Sequence, residues 1–243
     1  MGVFPSSLVQ APSRLWGLVI LSGFLETIYF VCLIEAYREG DLSYVYPISR
    51  SAPLFTQIWA VLFIGEILSP GGVTGIVLVM IGLFIISLKD FRRQQFISPA
   101  RHFTSRPYLL ALSAAVASSL YSVIDKVGVQ ILHPVLYLWL INLWMCVDMG
   151  LYLLLRGNSS FLEVWRHSRK ESFIIALLQN GAYLLVLMAL QVSKVSYVVA
   201  FRQVGALFGA AMGILFLKER SLKTRITGVL ILTVGLLLIG LSR

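Results

Sequence analysis

Long apolar runs separated by short polar connections make up most of the chain, and their lengths predict the elements. Eight helices are expected, over residues 15–36, 43–65, 71–88, 108–128, 135–155, 172–192, 195–217 and 224–242. Each approaches the roughly 20 apolar residues that cross a bilayer core. Lipid offers the backbone no hydrogen-bonding partner, so runs of this kind satisfy themselves as helices. Residues 226–241 are apolar without two-residue alternation, which argues against a strand of a membrane barrel. The first run is a poor signal peptide, because only Arg14 flanks it and Glu26 lies near its middle.

Composition sharpens the class. Of 243 residues, 58% are hydrophobic and 13% charged, with a mean hydropathy of +0.86. Soluble domains carry about 25% charged residues, so a soluble globular protein is excluded. A net charge of +9 would suit nucleic acid, but the basic residues sit mainly in the connections, the pattern of a positive cytoplasmic face. Fourteen of the 20 lysines and arginines fall in connections of one face, against four on the other (Arg14, Lys126, Lys194 and Arg243). The connections 89–107, 156–171 and 218–225 are therefore expected in the cytoplasm, both termini outside, and the protein in the inner (plasma) membrane. Cys32 and Cys146 lie within apolar runs, so neither a disulfide framework nor a thiolate metal cluster is expected. His102, His133 and His167 show no metal-ligand spacing. No phosphate-binding loop, nucleotide fingerprint or catalytic triad is present. Neither an enzyme nor a cofactor or metal site is expected.

The chain also matches itself. At an offset of 153, residues 36–88 lie over 189–241 without a gap, pairing Ser43 with Ser196, Tyr44 with Tyr197, Leu54 with Leu207, Glu66 with Glu219, Gly75 with Gly228 and Gly82 with Gly235. Matching helices are five crossings apart, an odd number, so the copies enter the membrane in opposite senses. Inverted repeats are common in secondary transporters.

The run Gly40-Asp41-Leu42-Ser43-Tyr44-Val45-Tyr46-Pro47-Ile48, followed by Ser51-Ala52-Pro53-Leu54, Gly65-Glu66, Gly75 and Gly82, resembles the first repeat of an EamA-type transporter. Leu217-Lys218-Glu219, Gly228 and Gly235 are similar to the second repeat. The resemblance is to the drug/metabolite transporter superfamily and implies an all-α membrane protein of two inverted five-helix repeats. The eight helices here would stand for the third to tenth. Residues 1–89 would form a partial three-helix first repeat, 90–107 a basic connecting loop, and 108–243 a five-helix second repeat. It also implies cytoplasmic termini, the reverse of what the charge count predicts.

Intramembrane polar residues are the candidates for function. Arg50 and Arg202 are each the eighth residue of a predicted helix, about 10 Å along the axis at 1.5 Å per residue. A charge at the bilayer centre costs at least about 2.5–3.5 kcal/mol on insertion scales. They are read as a cationic lining for a carboxylate or phosphate, the alternative being ion pairs with Glu26 or Asp148. Ser43, Pro47, Arg50 and Gln57 form one polar stripe at helical spacing, and Pro47 and Pro53 free carbonyls that are tolerated in protein or a wet cavity. Glu26 is a proton-coupling or substrate-contacting candidate and aligns over Gln179, beside Asn180. Tyr44 and Tyr197 are duplicated near helix starts, as cavity aromatics or interfacial anchors. Asp148, Asn142, Tyr121 and Tyr183 are weaker candidates, and Glu66 and Glu219 read as helix caps. Gly205, Gly209 and Gly213, with Gly75, Gly82, Gly228 and Gly235, are expected to pack helices closely.

The resulting expectation is a transporter of a small anionic or zwitterionic metabolite, working by alternating access around a midplane cavity built from 15–36, 43–65, 172–192 and 195–217. The rivals are a flippase or carrier for a lipid-linked group, which suits the basic face equally, and a non-transporting membrane scaffold. The expected partners are the substrate and the lipid bilayer, with no nucleic acid. A homodimer would cover the surface left by two absent helices.

Overall fold

The computed structural model describes residues 13–88, 105–157, 160–215 and 222–242, and every regular element among them is helical. In chain order these are α1 (Ser13–Glu39), α2 (Leu42–Ser49), α3 (Ala52–Trp59), a π-helical turn (Ala60–Ile64), α4 (Pro70–Ser87), α5 (Arg106–Ile131), α6 (Pro134–Arg156), α7 (Ser160–Val192), α8 (Val195–Phe201), α9 (Val204–Leu215) and α10 (Leu222–Leu241). Six helices among the described residues are long and apolar enough to cross a membrane: α1, α4, α5, α6, α7 from Arg166 onward, and α10 from Lys223 onward. Large apolar side chains such as Phe173, Ile175 and Leu178 of α7 stand exposed, as lipid-facing residues do.

Two expected spans are not single helices. The run 43–65 is interrupted at Arg50 and Ser51, between α2 and α3, and the run 195–217 at Arg202 and Gln203, between α8 and α9. At the first break Pro47 and Pro53 remove two helical donors. Local bonds take over: Arg50 N donates to the Tyr46 carbonyl at 3.1 Å and Ser51 N to that of Ile48 at 3.0 Å. The hydroxyls of Ser49 and Ser51 reach the same two carbonyls, at 2.9 and 2.7 Å. At the second break the chain tightens, with Gln203 N bonded to the Ala200 carbonyl at 3.1 Å and Ala206 N to that of Gln203 at 2.9 Å. The connection expected over 156–171 also differs, since α7 already begins at Ser160 and bends at Ser168, whose φ is −130° and ψ 29°. The connection expected over 89–107 lies largely outside the described residues, as do Phe216 to Ser221.

The described residues form two compact units. One comprises residues 1–27 and 124–193, the other 28–123 and 194–243. In the first unit, α6 starts on Pro134 with the His133 side chain as cap and stops at Gly157 in the left-handed conformation, an arrangement proline and glycine each favour at those ends. Lys126 of α5 donates to the carbonyls of Leu190 and Ser193 at 2.6 and 2.9 Å, closing the end of α7.

In the second unit, α4 and α10 touch along their backbones. A Cβ on Gly75 would lie 2.8 Å from the Gly235 carbonyl oxygen, and one on Gly228 would lie 2.7 Å from that of Gly82. Ile76, Val79, Leu83, Leu232, Leu236 and Ile239 close the core around this contact. These four expected packing glycines therefore form one helix contact. A Cβ on Gly205 or Gly209 would meet nothing within 4 Å, and the surroundings of Gly213 lie outside the described residues.

Candidate functional site

The second unit holds both candidate arginines, each at a helix break. Arg50 follows α2 directly, and its guanidinium lies 5.5 Å from the centre of the Tyr46 ring, within cation–π range. Its Nε is buried and has no hydrogen-bond partner among the described residues. A buried unpaired donor is costly, and a guanidinium matches carboxylate or phosphate geometry. Arg202, half-buried, ends α8. Both arginines lie within electrostatic reach of one phenol, that of Tyr29 on α1, as do Tyr37 and Tyr121. The Tyr29 and Tyr121 rings meet edge-to-face at 5.8 Å. The Ser118 hydroxyl donates to Tyr121 Oη at 3.2 Å, and Tyr37 Oη lies 3.3 Å from Ser49 Oγ. Trp59 Nε1 donates to Ser119 Oγ at 3.0 Å, fixing α3 to α5. The N-terminus of α3 begins two residues after Arg50, and the Ser51 hydroxyl does not cap it. A helix N-terminus and a guanidinium so close in sequence both favour an anion.

The remaining sequence candidates go elsewhere. Gln57 is half-buried on α3. Tyr44 stacks on Tyr108 at 6.4 Å. Tyr197 Oη receives the Ser69 amide at 3.2 Å and lies 3.1 Å from its hydroxyl. The same phenol fills the space over Gly72, and the Lys194 ammonium lies 5.2 Å from the ring centre. Tyr197 thus braces the start of α4. Glu66 caps a helix, but α8 rather than the one that follows it: its carboxylate accepts from Val195 N at 2.5 Å, Ser196 N at 3.3 Å and Ser196 Oγ at 2.8 Å. The π-turn and the left-handed Gly65, with φ of 71°, precede it. Glu219 lies outside the described residues, and so does the side chain of Ser43.

Glu26 and Asn180 belong to the first unit. Asn180 Nδ2 donates one turn back to the Ala176 carbonyl at 2.9 Å, and Asn142 Nδ2 likewise to that of Leu138 at 2.8 Å. One Asp148 carboxylate oxygen is buried without a hydrogen-bond partner among the described residues. Glu26 is 8% exposed and lies within electrostatic reach of Tyr137.

Tyr137 leads to a residue that sequence reasoning passed over. Asp125 of α5 is 0% exposed. It accepts hydrogen bonds from the hydroxyls of Ser22 and Tyr137 on one oxygen, the latter at 3.0 Å, and from Tyr183 on the other. Gly128 gives the Tyr137 ring its place, since a Cβ there would fall 2.3 Å from it. The available signal is an acid inside an apolar run, three residues before the end at 128 expected for this helix. The helix continues to Ile131, which places Asp125 deeper. Among the described residues no three histidines, cysteines or carboxylates gather as metal ligands.

The profile of the EamA-like transporter family matches residues 1–88 and 105–241. No curated protein sequence matches the chain. A solved structure described only as "Crystal structure of protein" aligns with a TM-score of 0.72 at 16% identity, over 99% of this chain and 80% of that one. At that identity the likeness is one of fold.

Proposed function

The chain belongs to the EamA-like transporter family, and from that premise we propose that it moves a small metabolite bearing an anionic group, anionic or zwitterionic, across the inner (plasma) membrane by alternating access. Its eight crossings comprise the six long helices and the two broken runs, α2–α3 and α8–α9, in two inverted repeats of three and five helices. Broken helices bind substrate in many secondary transporters, because a break frees backbone groups and helix ends within the membrane. At the repeat offset of 153, residues 49–51 lie over 202–204, so the two breaks occupy equivalent places. The observation that carries the reading is that Arg50 and Arg202, one at each break, both lie within electrostatic reach of the Tyr29 phenol. The buried, unpartnered Nε of Arg50 supports an anion as the missing partner.

The test is a thermal-shift screen of the purified protein against anionic, zwitterionic, cationic and lipid-linked compounds. A ligand at 100 times its dissociation constant adds about 2.7 kcal/mol to stability. Stabilisation by anionic or zwitterionic compounds, lost in Arg50→Gln and in Arg202→Gln, is the expected result. Stabilisation by lipid-linked compounds alone, or equal shifts in both variants, contradicts it.

A further inference from the structure

Asp125 is the buried titratable group that the anion reading leaves without a task. Its three hydroxyl donors come from three different helices: Ser22 from α1, Tyr137 from α6 and Tyr183 from α7. The neighbouring Lys126 directs its ammonium to the carbonyls of Leu190 and Ser193. Glu26, on the same face of α1 as Ser22 one turn earlier, adds a second buried carboxyl beside Tyr137.

The chemistry of the ring is distinctive. An arginine or an amide N–H only donates, so a shell of such groups would hold a carboxylate permanently in its charged form. A hydroxyl both donates and accepts. Ser22, Tyr137 and Tyr183 can therefore bond the carboxylate as donors, and one of them can turn to accept when a proton arrives. Both protonation states keep their hydrogen bonds, so neither leaves an unsatisfied partner in the ring.

We propose that Asp125, within its ring of Ser22, Tyr137 and Tyr183, is a proton-exchange site. The step is a transfer from hydronium to a carboxylate oxygen, leaving water and a neutral carboxyl, and its reversal. The site stands on the geometry of the first unit alone. That its proton drives transport rests on the function proposed above.

The experiment is pH-titrated infrared spectroscopy of the full chain in nanodiscs, with carboxyl-labelled ¹³C-aspartate and no substrate added. A protonated-carboxyl band that changes with pH, and that shifts with the aspartate label, is expected in the wild type. It is retained in Arg50→Gln and absent in Asp125→Asn. Tyr183→Phe keeps the carboxyl and removes one hydroxyl, so the band persists with a displaced midpoint; this variant decides the matter if Asp125→Asn does not fold. The absence of any titrating aspartate band, its survival in Asp125→Asn, or an unmoved midpoint in Tyr183→Phe overturns the site. A failed anion screen leaves this spectrum untouched, so the two readings fail separately.

Discussion

At the scale of single residues, the account turns on what each buried polar group touches. Arg50 is the sharpest case, because its buried Nε has no hydrogen-bond partner among the described residues while its guanidinium leans on Tyr46. Lysine carries the same charge but has no planar fork, and at a bidentate site the exchange is not conservative. Arg50→Lys is therefore expected to lose most of the stabilisation that an anionic ligand gives the wild type, read by the same thermal shift. Glu66 makes a different contribution. Its bonds to the first two amides of α8 and to Ser196 satisfy donors that a helix start otherwise leaves orphaned. Removing a cap costs about 0.5–2 kcal/mol. Glu66→Ala should lower the unfolding free energy by that amount, and an unchanged value would show that the cap contributes nothing.

At the scale of elements, the apolar runs marked where helices lie because lipid leaves the backbone no other choice. The breaks within two of those runs were only half legible. Pro47 and Pro53 advertise the first, through donors they lack. The second has no proline; Arg202, Gln203 and Gly205 stand in a run whose composition suits an unbroken helix, so its periodicity does not mark the interruption. The start of α7 was hidden for a related reason, since Ser160 to Lys170 is too polar to read as span although it is helical. The contact between α4 and α10 was legible, since the paired glycines stand seven residues apart in both copies. Gly82 meets the backbone of Leu232 and Gly228, leaving no room for a side chain. Overpacking a close-packed contact costs typically 1–3 kcal/mol, occasionally more. Gly82→Leu should destabilise by about that much or fail to assemble, whereas Gly209→Leu, with nothing within 4 Å of its Cβ position, should change the monomer's stability little. Equal effects at the two positions would contradict the packing described.

At the scale of the whole molecule, family and helical architecture are fixed, while orientation follows from charge. The excess of basic residues in 89–107, 156–171 and 218–225 predicts that those connections are cytoplasmic, and the exposed Arg166, Arg169 and Lys170 of α7 lie in the second of them. A reporter that is active only in the cytoplasm, fused after Arg243, should be silent. Activity there would reverse the orientation and restore the arrangement that the family resemblance implies. Neither result alters the central claim, which is that the two arginines serve one ligand.

The most direct measurement of that claim is a double-mutant cycle on the affinity of the anion that stabilises the protein most, using wild type, Arg50→Gln, Arg202→Gln and the double variant. Residues acting on one ligand group show coupling of about 0.5–3 kcal/mol, whereas independent sites add within about 0.5 kcal/mol. The account predicts strong coupling, with the second substitution costing far less than the first. Additive losses, or an affinity that neither substitution changes, would place the arginines in separate roles and contradict it.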